Sequence, residues 1–205
     1  MPSHQEARQV VAQAVAQVLG KAPTLAQVQA VQAVCYLETK YGTAVPPAGV
    51  GSNNWGNYHW VEGSKNGRAT GYYDGADATS DGKGYAQKFR TYATPVDGVA
   101  DVAGHLNGSG ALAAAIDPGT VWAVATAMRK GRYYGDQRTP DEPQIERYGG
   151  ALESIVREID RVCADGGKGL SLARPASAGN ALLWLALAGG ASWMLVQSTK
   201  GGGRW

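Results

Sequence analysis

The sequence predicts a mainly helical α+β domain with a small β-hairpin lobe, followed by a hydrophobic C-terminal helix. Apolar residues recur at helical spacing over residues 10–35 and again over 96–162. Between these stretches the helical period disappears, and Gly, Asn, Asp and Ser punctuate short aromatic runs. Near the end, residues 181–196 (ALLWLALAGGASWMLV) carry no charge at all. With 44% apolar and 18% charged residues over 205 positions, the chain can bury a sizeable core without covalent staples.

Composition excludes several function classes. Two cysteines, Cys35 and Cys163, give neither a disulfide framework nor a Cys-rich zinc site. His4, His59 and His105 are scattered without ligand spacing, so no metal and no cofactor is expected. A net charge of +2 without a Lys/Arg block argues against nucleic acid as a partner. The 29 glycines, about twice the average usage, crowd into residues 42–84 and the last forty positions. The first group suggests loops that approach a ligand, the second a linker and tail.

The elements follow in order. Ser3 with Glu6 three residues later is a capping-box pattern, and Val10, Val11, Ala14, Val15, Val18 and Leu19 continue a helical stripe to Gly20. Thr24 with Gln27 starts a second helix, whose stripe is Leu25, Val28, Val31, Val34 and Cys35 and whose end is expected at Gly42. Aromatic stretches at 57–60, 71–73 and 85–92 predict either a β-hairpin or a three-stranded patch. Thr94-Pro95, an N-cap followed by proline at the first helical position, opens a third helix with Val96, Val99, Ala100, Ala103 and Leu106 inward. Asp117-Pro118 is read as the same device before a short helix through Met128. Residues 143–163 show the clearest helical stripe, Ile145, Tyr148, Leu152, Ile155, Val156, Ile159 and Val162.

The expected organisation is a catalytic domain over 1–163, a flexible linker over 164–179, a transmembrane segment over 180–198 and a tail over 199–205. The apolar run is short against the roughly 20 residues a spanning helix needs, and Gly189-Gly190 interrupts it. A helix docked on the domain is the alternative. The lack of any polar face favours the membrane.

Chemistry centres on Glu38. It lies three and four positions after Cys35 and Val34 and so shares their inward stripe. Desolvation there, and the negative end of the helix dipole, both raise a carboxyl pKa toward what a general acid needs near neutral pH. The bland alternative is a carboxylate swung out to Lys40 or Lys21.

Glu38-Thr39-Lys40-Tyr41-Gly42, then Ser52-Asn53-Asn54-Trp55-Gly56-Asn57, Phe89-Arg90-Thr91-Tyr92, Thr94-Pro95-Val96-Asp97-Gly98-Val99 and Tyr133-Tyr134-Gly135-Asp136 stand in the order of a known pattern. Together they resemble the peptidoglycan glucosaminidases of glycoside hydrolase family 73 and the wider lysozyme-like superfamily, over roughly residues 25–162. The resemblance implies a lysozyme-like α+β fold and a GlcNAc–MurNAc polymer as substrate. It makes Glu38 the acid that protonates the glycosidic oxygen, with Tyr133 beside the reacting sugar. Asn53, Trp55 and Gly56 would form the facing cleft wall, and Tyr134 a further sugar contact. Against this, Trp55 and Tyr133 are also reasonable core rings and Asn53 a reasonable turn residue.

The sequence departs from the pattern at Thr39, where serine is usual, and in the second carboxylate expected on the hairpin. Asp74 is the nearest candidate for that catalytic group, with Glu62, Asp77 and Asp81 behind it; each of them also reads as a solvated turn residue. Three mechanisms stay open: a second carboxylate with water or as nucleophile, the substrate's own N-acetyl group, or lytic transglycosylation, which needs a single carboxylate. Outside the enzyme class stands a non-catalytic wall-binding or membrane structural protein of the same fold. The expected partners are glycan strands and, through the C-terminal segment, a membrane. The N-terminus lacks a basic region followed by an apolar stretch. The expected setting is therefore a bacteriophage lysin or virion protein, or a bacterial protein anchored at the envelope by its C-terminus.

Overall fold

A computed structural model describes residues 1–43, 51–78, 83–135 and 140–174. Six helices and one hairpin follow in the order α1 (His4–Leu19), α2 (Leu25–Thr39), β1 (Gly71–Ala78), β2 (Gly84–Thr91), α3 (Pro95–Gly108), α4 (Ala111–Ala114), α5 (Val121–Lys130) and α6 (Asp141–Cys163). Both predicted capping boxes are present. The Ser3 and Thr24 hydroxyls accept from the backbone of Glu6 and Gln27, whose side chains return to the cap backbone. Thr94 caps α3 with Pro95 in its first turn. The Asp117-Pro118 reading is corrected: the Thr120 hydroxyl caps α5, accepting from Ala123 N–H at 3.1 Å, while Asp117 stays exposed in the preceding turn.

Helix α2 is the centre of the fold and packs against α1, α3, α4 and α6. The sequence suggests one apolar stripe, yet every residue from Gln27 to Cys35 is buried. Three glutamines make this possible because each amide finds partners inside. Gln27 donates to the Leu112 carbonyl at 3.2 Å. Gln29 donates to Asp165 at 2.7 Å and accepts from Leu170 N–H at 2.7 Å. Gln32 donates to the His4 carbonyl at 2.7 Å and accepts from Arg8 at 3.2 Å.

The β lobe is a two-stranded antiparallel hairpin in which Tyr73 faces Phe89 and Asp74 faces Lys88. Residues 58–60 run along its second strand. His59 bridges to Phe89, and Trp60 N–H donates to the Lys88 carbonyl at 2.8 Å. Both sequence alternatives are thus half met: two strands, and one short segment beside them.

The expected domain end at 163 falls inside the packed unit. Ala164 caps α6 in a left-handed conformation, and the chain then turns back across α1 and α2. Both Asp165 carboxylate oxygens accept from Arg8, Leu170 is 5% exposed in the core, and Ser171 exchanges backbone bonds of 2.8 and 3.0 Å with Gly119 and Val121. Over 164–171, then, the expected linker is a docked strap, because its Gly-rich turns are held by side chains distant in sequence. Among the described residues no helix is long and apolar enough to cross a membrane. The 180–198 segment lies outside the described residues.

Candidate active site

The site begins with how α2 ends. The helix stops at Thr39, three residues before the glycine the sequence suggests, because Lys40, Tyr41 and Gly42 all take left-handed conformations (φ 49°, 57° and 78°). Lys40 N–H returns to the Tyr36 carbonyl at 2.9 Å and Tyr41 N–H to that of Cys35 at 3.3 Å, closing the last turn. Thr39 ties two segments together: its buried hydroxyl donates to the Trp55 carbonyl at 2.9 Å and accepts from Gly42 N–H at 2.8 Å. Glu38 therefore sits on a turn tied at once to its own helix and to the loop around Trp55.

Glu38 is half-buried, and the Tyr148 hydroxyl of α6 donates to its Oε1 at 3.0 Å. Burial raises the Glu38 carboxyl to about 7, and the Tyr148 hydrogen bond opposes only part of that rise. Lys40, the alternative partner, lies instead 4.0 Å over the ring of Tyr36. Among the described residues no ion pair reaches Glu38. The group is thus a carboxyl held by a neutral donor and poised to exchange its proton near neutral pH, as proton donation there requires.

Tyr133 lies beside this acid. It is 2% exposed, its hydroxyl makes no hydrogen bond of good geometry, and burial, with Tyr58 and Glu38 nearby, holds its phenolic proton. Its ring meets His105 edge-on at 4.9 Å. Tyr134 does not present itself to a ligand. It is 4% exposed, its ring stacks on Tyr148 at 3.9 Å and 5°, and its hydroxyl donates to the Ala125 carbonyl at 2.8 Å. It holds the residue that holds Glu38.

The expected cleft-wall residues are also tied into that same loop. Trp55 is in the core, tilted against Tyr41 at 5.3 Å. Asn53 is half-buried and donates to the Tyr92 carbonyl at 3.0 Å. A Cβ at Gly56 would lie 2.6 Å from Val102 and one at Gly98 would lie 2.0 Å from the Asn53 carbonyl oxygen, so both glycines let the loop and α3 close on each other. The Trp-Gly and Thr-Pro motifs are the two sides of one contact.

The hairpin carboxylates separate. Asp74 is exposed opposite Lys88, on the face of the hairpin away from Tyr73 and Phe89. Glu62 accepts from Lys88 at 2.6 Å. The expectation of a solvated Asp77 is corrected: it is 3% exposed, bonded to His59 Nε2 at 2.9 Å, and accepts from the Tyr85 hydroxyl at 3.3 Å. Alternation along β1 turns Asp77 toward the core and Asp74 outward, a signal available from strand register but hidden while the strand's length is unknown. Asp81 and Asp136 lie outside the described residues.

Sequence reasoning missed two residues. Tyr148 was placed only as a stripe residue of its helix. Asp101 was not singled out at all, yet its carboxylate accepts from Arg90 at 3.3 Å, from the Tyr92 hydroxyl at 3.1 Å and from Arg68 N–H at 3.0 Å. That explains the Phe-Arg-x-Tyr motif: arginine and tyrosine pin the end of β2 to α3. Elsewhere a cavity of about 320 Å³ is lined by Ser109, Trp122, Thr126 and Lys130, and neither Glu38 nor Tyr133 borders it. Among the described residues no three His, Cys, Asp or Glu side chains converge as a metal site.

No protein-family model and no curated protein sequence matches the chain. Solved structures do. The glycoside hydrolase domain of FlgJ from Salmonella typhimurium superposes with a TM-score of 0.51 at 15% identity, over 82% of this chain and 94% of that one. A peptidoglycan hydrolase mutant from Sphingomonas sp. A1 gives 0.51 at 20% identity, over 75% and 93%. The catalytic domain of the autolysin Auto from Listeria monocytogenes gives 0.50 at 18% identity, over 78% and 86%. The chain therefore has the fold of these domains, and the mainly helical α+β architecture with a hairpin lobe implied by the sequence motifs is the one observed.

Proposed function

We propose that the chain is a peptidoglycan glycosidase that cleaves β-1,4 bonds between GlcNAc and MurNAc, with Glu38 as general acid. The observation that carries this reading is the acid itself: a carboxyl held near 7 by burial, fixed by one neutral donor, at the end of the central helix. The printed names of the solved relatives, which include a peptidoglycan hydrolase and an autolysin, support the substrate class.

In this mechanism Glu38 gives its proton to the glycosidic oxygen as the bond to the anomeric carbon breaks, leaving an oxocarbenium-like sugar. The carboxylate so formed then accepts a proton from the attacking hydroxyl. Among the described carboxylates on and beside the hairpin, Asp77 is held by His59 and Tyr85, Glu62 by Lys88, and Asp74 stands on the exposed face. This favours routes needing one carboxylate, through the substrate's N-acetyl oxygen or, in a lytic transglycosylase, through the sugar's own hydroxyl. Tyr133 is 2% exposed, so its bearing on the N-acetyl group rests on the motif resemblance and needs the ring to be uncovered when substrate binds.

Turbidity loss of purified cell walls with wild type and Glu38→Gln is the test. A loss of about 10²–10⁴-fold is expected for removing a general acid; equal activity would sink the assignment. Mass spectrometry of the digest then reads the sugar at the reducing end and any anhydro ring. We further propose, from sequence alone, that 180–198 anchors the chain in a membrane. Full-length protein should then co-float with liposomes, and Ala188→Arg should abolish flotation, at a cost of about 2.5–3.5 kcal/mol.

A further inference from the structure

We propose that Tyr148 is a positioning residue for Glu38, one that fixes the carboxyl rotamer and assigns the transferable proton to Oε2. The inference rests on the reading of Glu38 as an acid, and extends it to a residue on another helix. The Tyr148 hydroxyl donates to Oε1 at 3.0 Å. An oxygen that accepts this bond is the carbonyl oxygen of the neutral acid, so the proton resides on the other one. Tyr148 remains a donor throughout the relevant range, because burial and the adjacent Glu38 carboxylate both hold its phenolic proton.

The donor is itself immobilised. Its ring is 5% exposed and lies flat on Tyr134 at 3.9 Å, and Tyr134 is tied to the α5 backbone through Ala125. A rigid path thus runs from α5 through Tyr134 and Tyr148 to one oxygen of Glu38. Among the described residues, the other titratable groups that feel the Glu38 charge are Cys35 on α2 and Tyr133 after α5, both neutral because burial holds their protons. The charged Arg90–Asp101 pair and His105 lie one ring further out, against Tyr58. Among the described residues, Tyr148 is therefore the hydrogen-bonding contact through which the protein adjusts this acid.

Tyr148→Phe in the full-length protein keeps the ring and its stack and removes the hydroxyl. Because the bond favours the ionised form, the titration midpoint of Glu38, followed by carboxyl ¹³C NMR, should rise by about one pH unit. The alkaline limb of the wall-lysis profile should move the same way. The kcat should fall about tenfold, with KM little changed. An unmoved midpoint would overturn the proposal, as would an activity loss matched by a lower melting temperature and an unshifted pH limb. The wild type offers a second measurement that needs no variant. The buried Tyr148 hydroxyl proton should give a slowly exchanging resonance that moves as Glu38 ionises, and a resonance indifferent to that titration would equally overturn it. A midpoint that moves in a protein without wall-lytic activity would support Tyr148's hold on Glu38 and sink the glycosidase reading alone.

Discussion

Glu38 shows how one buried carboxyl ties function to stability. Burial raises it from 4.5 to about 7, and a general acid acts in its protonated form. Wall lysis should therefore be sustained below pH 7 and fall by about tenfold per pH unit above it; a rate still climbing at pH 9 would contradict the role. Stability follows the same group with a defined sign. Its folded value lies above its unfolded one, so its contribution is fully present below pH 4.5 and is lost as the pH rises through about 7. Glu38→Gln should then melt at the same temperature as wild type near pH 4 and above it at pH 8, by on the order of 1–3 kcal/mol. Thermal scans at the two pH values check this, and a variant less stable at pH 8 would refute it. Glu38 itself was legible from the sequence, since its place on an inward stripe at a helix end needs only helical periodicity. Tyr148 was not, because its hydroxyl meets Glu38 across 110 residues of chain.

At the level of elements, the β lobe depends on few attachments. Asp101 gathers Arg90, Tyr92 and the Arg68 backbone on one half-buried carboxylate. Removing it takes the carboxylate partner from a guanidinium and a phenol, so Asp101→Ala should cost about 2–4 kcal/mol in chemical denaturation. A cost below about 0.5 kcal/mol would show that the hairpin is held elsewhere. The helix caps offer a sharper contrast. Thr120→Ala should destabilise by about 1 kcal/mol, as loss of an N-cap does, whereas Asp117→Ala, exposed in the turn before it, should leave stability within about 0.5 kcal/mol. Capping chemistry is local, which is why Ser3, Thr24 and Thr94 could be read directly. It misled at Asp117 because a second capping residue followed three positions later, and only the path of the chain chooses between them.

For the whole molecule, the strap after α6 decides where the folded unit ends. Composition marks 164–179 as a linker, yet Asp165, Leu170 and Ser171 are held by Arg8, Gln29 and the loop before α5. A chain ending at 163 should lose on the order of 2–5 kcal/mol relative to one ending at 174. Equal denaturation midpoints for the two would restore the linker reading. Local chemistry determined what the sequence could settle by itself: the capping boxes, the helical periods, the hairpin and the inward placement of Glu38 all arise from contacts within a few residues. Tertiary packing decided the rest. The sequence could not say that three glutamines lie inside the central helix, that Asp77 is buried while Asp74 is exposed, or that Trp55 and Tyr134 brace the acid. A polar or aromatic side chain is indifferent to burial until a partner is in place, and here the partners are brought in by other elements of the chain.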